Sequence, residues 1–263
     1  MLVDSHCHLD YLDKDGDLED VVARARRAGV GRMVTICTKL SEFEQVKAIA
    51  ARYEDVTCSV GVHPHEAGTE GVEGPEPLVE RAEDPLVVGI GETGLDYFYE
   101  HSPRAAQAVS FRAHIRAARI TGLPLIVHAR DADDDTVTLL REEQAAGGPF
   151  PGVIHCFTAG PDLARAALEL GLYISLAGIV TFKKAEDLRR TVSEVPLERL
   201  LVETDSPYLA PMPNRGKRNE PAFVVHTAAK LAEIKGVSAE ELAAATSENF
   251  FRLFNRVERP AVA

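Results

Sequence analysis

Eight short apolar runs, each followed by a helical pattern or a loop, limit what this chain of 263 residues can fold into. They are MLVDSHCHL, GRMVTIC, VTCSVGVH, LVVGIGE, PLIVHA, GVIHCF, LYISLAG and LLVETD. The segments between them, among them DLEDVVARARRAG, SEFEQVKAIAARY, PRAAQAVSFRAHIRAARITG, DADDDTVTLLREEQ, PDLARAALELG and AEDLRRTVSEV, carry apolar residues at helical spacing. Gly29, Gly122 and Gly171 stand at helix ends, where a left-handed cap suits glycine. Strands that alternate with helices run parallel through right-handed crossovers. Eight of them between residues 2 and 205 close into a (β/α)8 TIM barrel more readily than they open into a doubly wound sheet. No G-x-G-x-x-G follows the first strand, which weakens a dinucleotide-binding reading. The remaining NEPAFVVHTAAKLAEIKG and SAEELAAATSENFFRLF read as two more helices outside or beneath the barrel. With no linker and no internal repeat, one domain is expected over residues 1–263, its core ending near 258 before a short C-terminal tail.

Composition narrows the partners. The net charge of -12 argues against a protein that coats nucleic acid with a basic surface, because such binding neutralises phosphates with Lys and Arg. It leaves open an enzyme that holds one phosphate through cations. Cys7, Cys37, Cys58 and Cys156 form no C-x-x-C pair, so neither a zinc ribbon nor a disulfide framework is expected. The expectation is a protein of the reducing cytoplasm. There is no basic-then-apolar leader and no run near the ~20 apolar residues of a membrane helix, so no membrane association is expected, and no obligate protein partner is inferred.

Residues two apart on a strand share a face, so His6 and His8 project together and Cys7 projects away. The same parity groups Val88, Ile90 and Glu92; Ile126 and His128; Val153 and His155; and Leu201, Glu203 and Asp205. Each set runs from an apolar inner layer to a ligand-type residue at a C-terminal strand end, where TIM barrels keep their active sites. A single histidine in such a place is usually just hydrogen bonded. Five strand ends aiming imidazoles and carboxylates at one mouth are different, because without a cation they would repel or stay unsatisfied. The reading assigns His6, His8, Glu92 and Asp205 to one divalent cation and Glu92, His128 and His155 to a second, with Glu92 bridging.

The motifs DSHCHLD, GVHPH, GETGLDY, VHARDA, HCFT, GIVTFK and ETDSPYLAP with RGKRNEP, in this order, resemble the TatD family of metal-dependent deoxyribonucleases in the amidohydrolase superfamily, in its YcfH-like branch. The similarity runs from Leu2 to about Phe254. It implies a TIM barrel, a one- or two-metal centre and hydrolysis of DNA phosphodiesters, often from the 3′ end. Its metal ligands fall on His6, His8, Glu92, His128, His155 and Asp205, with Glu92 where many amidohydrolases carry a carboxylated lysine. Asp205, Glu92 and Glu203 are the expected catalytic carboxylates. Glu203, one layer deeper, is a candidate acceptor for a ligand histidine's N–H.

Substrate contacts are expected from His63 and His65 of GVHPH, from Arg130, from Lys183 after the seventh strand, and from Arg215, Lys217 and Arg218 in the loop after the eighth. Arg130 could instead pair with Asp131, and Tyr97 and Phe98 are candidates to stack on a base. His101, His114 and His226 read as surface or packing residues, and the acids of DADDD as a helix start. The leading function is therefore metal-dependent cleavage of DNA, single-stranded or at 3′ ends, with Mg, Mn or Zn. One alternative keeps the metals and hydrolyses an amide or ester, including deacylation of mischarged tRNA. The other is a non-catalytic binding protein on a barrel scaffold.

Overall fold

The computed structural model describes residues 1–259. The tail expected after residue 258 lies, from residue 260 on, outside the described residues. Each apolar run forms a strand: β1 (Leu2–Cys7), β2 (Val30–Thr35), β3 (Val56–Val60), β4 (Val87–Asp96), β5 (Leu125–Arg130), β6 (Gly152–Ile154), β7 (Tyr173–Leu176) and β8 (Leu200–Val202). They make one parallel sheet in the order β1 to β8. The ends of β8 and β1 are joined by Asp205 N–H donating to His6 O (2.9 Å) and His8 N–H donating to Ser206 O (2.8 Å). Asp4 completes the seam, accepting from the backbone N–H of Thr204 (2.8 Å) and from its hydroxyl (2.5 Å). The TIM barrel expected from the alternation is thus observed.

The helices follow the periodic segments. Around the sheet run α1 (Leu9–Asp13), α2 (Leu18–Arg27), α3 (Phe43–Ala50), α4 (Ala67–Glu70), α5 (Glu76–Arg81), α6 (Arg104–Thr121), α7 (Asp133–Gly147), α8 (Pro161–Glu169) and α9 (Glu186–Glu194). Helices α1, α4 and α5 are too short to imprint a period on the sequence. Gly29, Gly122 and Gly171 take φ of 84°, 70° and 81°, the left-handed geometry expected of them. Asp133, Asp134 and Asp135 occupy the first turn of α7, next to the positive end of its dipole.

Two helices follow the barrel, α10 (Val224–Lys235) and α11 (Ala239–Leu253). The second settles which end of the barrel is sealed. Phe250, Phe251, Leu253 and Phe254 pack with Val3, Val34, Val88, Ile126, Val153 and Leu201 in one interior cluster, of which Val3, Val88 and Ile126 are second in their strands. Gly89 makes room for this plug, since a Cβ there would lie 2.9 Å from Ile126 Cδ1 and 3.4 Å from Phe254 Cε1. The opposite end is left open for chemistry.

Register shifts interrupt strict alternation on β1, β2 and β4, and those on β4 and β1 re-aim residues of the open end. In β4 the register gains a residue against β3 between the pairs Cys58/Val87 and Ser59/Gly89, and another against β5 between Ile90/Leu125 and Thr93/Val127. Val88 therefore packs inside the barrel and Ile90 in the layer beneath the helices, contrary to the shared face expected of them. The second extra residue turns Glu92 back inward. Strand β1 gains a residue against β2 between Asp4/Met33 and Cys7/Thr35, which moves the inward face from Val3 and Ser5 to His6 and His8. Bulges of this kind re-aim side chains next to active sites.

His114, expected to be an ordinary packing residue, is fully buried in α6 and holds the end of β3. Its Nε2 accepts the Val62 N–H (2.9 Å) while Nδ1 donates to Ser110 O (2.7 Å), so the ring is neutral, and burial pushes its pKa down to about 4. The unfolded chain takes up this proton near pH 6.5 and the folded chain near 4, so the contribution is complete above 6.5 and is lost as pH falls toward 4. Urea unfolding at pH 7.0 and 4.5 is expected to show wild type losing about 2–3 kcal/mol more than His114→Gln over that interval. Phe254→Ala, which empties the plug, is expected to lower unfolding free energy by about 3–5 kcal/mol in the same assay at pH 7.

Candidate metal centre

Glu92 stands at the centre of the open end, 3% exposed and ringed by imidazoles. Its Oε2 lies 3.3 Å from His6 Nε2 and 4.0 Å from His8 Nε2. Its Oε1 lies 2.8 Å from His155 Nε2, 3.0 Å from His128 Nδ1 and 3.3 Å from His63 Nε2. Asp205 Oδ1 closes the first side, 3.4 Å from His8 Nε2 and 3.6 Å from His6 Nε2. Donor atoms therefore gather in two groups, His6 with His8 and Asp205, and His63 with Glu92 and His128, beside a third, His155 with Glu203 and His6, that shares His6 with the first. The ring of His155 stacks on that of His6 at 3.9 Å and joins the two.

All of these side chains leave the C-terminal ends of β1, β3, β4, β5, β6 and β8. Asp205 reaches its place through a left-handed backbone (φ 55°), a conformation short polar side chains tolerate best. The Glu92 carboxyl is pushed up by burial, yet His155, His63 and His128 outweigh that and hold it well below the usual range. Asp205 is likewise raised by burial and brought down further by His8 and His6. Burial drives His63 to about 4 against the pull of Glu92.

Several atoms of the cluster have no hydrogen-bond partner although they are buried: both ring nitrogens of His6, Nδ1 of His8 and Oε2 of Glu203. His6 Nε2 faces Glu92 at salt-bridge distance but without hydrogen-bond geometry. An unsatisfied buried polar atom costs about 1–3 kcal/mol, so His6 Nε2, 3.3 Å from Glu92 Oε2 and 3.6 Å from Asp205 Oδ1, asks for a partner shared with those carboxylates. Imidazole nitrogens and carboxylate oxygens in this proportion suit a divalent transition metal.

Behind the ring lies a set of acceptors. Glu203 is fully buried, with Oε1 3.3 Å from His155 Nδ1 and accepting the Cys156 N–H at 2.6 Å. This places the Nδ1 proton on the Glu203 side and leaves Nε2 facing Glu92. Asp96 does the same for His128, with Oδ2 3.1 Å from Nε2. Asp96 was missed in the sequence, although it lies four residues beyond Glu92 in the same strand, in GETGLDY. His63, expected to touch substrate, lines the cleft and also sits within the second donor group.

A cleft of about 770 Å³ opens over Glu92. Tyr11 and Tyr208 border it beside β1 and β8, and Phe98, Tyr99 and Arg130 border it beside β4 and β5. Arg130 lies over the rings of Phe98 (4.2 Å) and Tyr99 (5.0 Å) and forms no ion pair among the described residues, so the alternative pairing with Asp131 does not occur. His65 also lines the cleft, bonded to Asp96 at 2.9 Å. The loop after β8 differs from expectation. Arg218 is held by Asp15 and Asp17, each at 2.5 Å, Arg215 lies over Phe182, and neither these two nor Lys183 nor Lys217 lines the cleft. Local acids and an aromatic ring capture cations that proximity to Asp205 in sequence had suggested for phosphate. Tyr97 turns away as well, its hydroxyl donating to Asp135 at 2.7 Å.

A closed parallel barrel with histidines and carboxylates converging at its C-terminal mouth is the architecture of a metal-dependent hydrolase. The family model described as TatD related DNase matches residues 3–255, and the chain belongs to that family. It is 46% identical over 257 residues to the "Uncharacterized metal-dependent hydrolase YcfH" of Escherichia coli (strain K12), covering 97% of this chain and 96% of that protein. It is 36% identical over 245 residues to the "3'-5' ssDNA/RNA exonuclease TatD" of Klebsiella pneumoniae (strain 342), covering 90% and 92%. Among solved structures, the TatD homologue YJJV from Escherichia coli superposes with a TM-score of 0.89 at 30% identity, over 97% of this chain and 98% of the other.

Proposed function

We propose that the protein cleaves DNA phosphodiester bonds as a 3′–5′ exodeoxyribonuclease acting on single strands or 3′ ends. The observation that carries this reading is the division of Glu92, whose Oε2 faces His6 and His8 and whose Oε1 faces His63, His128 and His155. One carboxylate shared between two donor groups could serve two cations, which would stabilise charge on a phosphate. His6, His8 and Asp205 would hold one with Glu92, and His128 and His155 the other, with His63 beside them. The imidazoles suit Zn, and the carboxylates together with a phosphate substrate also admit Mn or Mg. When bound, such cations bring the pKa of a water toward about 7 and neutralise charge on phosphoryl oxygens.

The chain's own residues supply the rest. Asp205, 14% exposed at the floor of the cleft, is placed to accept the proton of the attacking water. Glu203 acts through His155, keeping Nε2 turned to the centre, so it is a positioning residue and not a catalytic one. Arg130 and His65 are the cationic and hydrogen-bonding groups in reach of a phosphate along the cleft. The name of the Klebsiella relative and the match to the TatD related DNase family support a nucleic-acid substrate. All four cysteines are free, which supports a reducing, cytoplasmic site of action.

The test is hydrolysis of a 5′-labelled single-stranded oligonucleotide by metal-stripped protein resupplied with Mg, Mn or Zn. A ladder shortening from the 3′ end is expected, abolished by His128→Ala and by Asp205→Ala. Protein that binds metal and cuts no oligonucleotide would point to acyl or amide substrates instead. Arg130→Ala is expected to raise KM about tenfold or more with kcat little changed, the loss of one charge-assisted hydrogen bond. Glu203→Gln is expected to weaken cation binding about 10–100-fold, measured by titration of the stripped protein.

A further inference from the structure

We propose that Asp96 is a positioning residue that ties the donor cluster to the substrate-facing wall of the cleft, one carboxylate oxygen serving each. Its side chain is buried, at the end of β4. Oδ2 lies 3.1 Å from His128 Nε2 and 2.9 Å from His65 Nε2. Oδ1 accepts the backbone N–H of Phe98 (3.0 Å) and of Tyr99 (2.8 Å). Four donors thus converge on two oxygens. The residue's own backbone N–H donates to Gln107 Oε1 at 2.8 Å, anchoring it to α6.

Each oxygen sets something different. The Oδ2 contact requires His128 to carry its proton on Nε2, which leaves the lone pair of Nδ1 directed at Glu92 Oε1, where a cation would bind. The Oδ1 contacts fold residues 96–99 into a tight turn that presents Phe98 and Tyr99 to the cleft, 54% and 50% exposed. Arg130 rides on both rings with no carboxylate partner among the described residues, so the wall offers aromatic faces beside its guanidinium. Tyr208, 53% exposed, faces it from the β8 side. That pairing fits an unpaired nucleobase with its phosphate, since bases stack on aromatic faces irrespective of sequence. The wall's occupant rests on the phosphodiesterase reading. The grip on His128 does not.

The two oxygens can be separated by substitution. Asparagine retains an acceptor for the Phe98 and Tyr99 N–H groups but turns an NH2 donor toward two imidazoles, which frees His128 to take the other tautomer. Calorimetric titration of metal-stripped protein with Mn2+ is the first readout. The second is the ratio of kcat/KM for oligonucleotides with an intact and with an abasic 3′-terminal nucleotide. Asp96→Asn is expected to weaken one manganese affinity about 10–100-fold and keep the preference for the base. Asp96→Ala is expected to lose both, whereas Phe98→Ala is expected to keep wild-type manganese affinities and lose roughly tenfold in preference. Wild-type manganese binding in Asp96→Asn overturns the proposal, and so does an undiminished base preference in Asp96→Ala. If wild type cuts neither oligonucleotide, the phosphodiesterase reading and the nucleobase fall together, and the titration alone decides whether Asp96 positions His128.

Discussion

A buried carboxylate among five imidazoles is the constraint around which this barrel is arranged. Glu92 has almost no contact with water, and a lone carboxylate in that position would be driven toward its neutral form. His155, His63 and His128 keep it ionised from one side while His6 and His8 approach from the other. Removing any of these partners leaves charge uncompensated in a poorly solvated place, which is why the site behaves as a unit. The unsatisfied nitrogens of His6 and His8 point to the same conclusion from the opposite direction, because they are more basic sites than the protein alone can use.

Such a cluster needs side chains aimed more closely than regular strands allow. The three extra residues in β1 and β4 do this. They locally break the ladder, the first on β4 within the apolar layer under α11 and the other two nearer the polar layer at the mouth. Sealing one end with Phe250 and Phe254 and opening the other divides the barrel into a half that stabilises and a half that reacts. The seam between β8 and β1 belongs to both, since Asp205 and His6 share a backbone hydrogen bond as well as the site.

Around the cluster, acceptors and donors fix what the ligand-type residues can do. Glu203 holds His155, Asp96 holds His128 and His65, and His114 holds the end of β3 that carries His63. None of the three needs to touch a reacting atom. Each sets a tautomer or a strand end, which is how a rigid scaffold keeps a multi-residue centre within the tolerance that catalysis demands.

Much of this was legible in the residues. Eight apolar runs separated by helical periods determine a parallel barrel, because only that closure buries every run while keeping crossovers right-handed. His6, His8, Glu92, His128, His155 and Asp205 could be placed together because ligand-type side chains at successive strand ends must converge. For Glu92 the parity argument reached the correct face only because two register shifts cancel, and Ile90 shows where it fails. What only the tertiary structure decided were the pairings between distant segments. Asp96 needed His128 and His65 brought to it, Arg218 was claimed by Asp15 and Asp17, and Arg130 was left free over Phe98 and Tyr99. Periodicity reports the face a residue occupies along its own element, whereas charge and hydrogen-bond partners are chosen by distances across the fold, which no local pattern encodes.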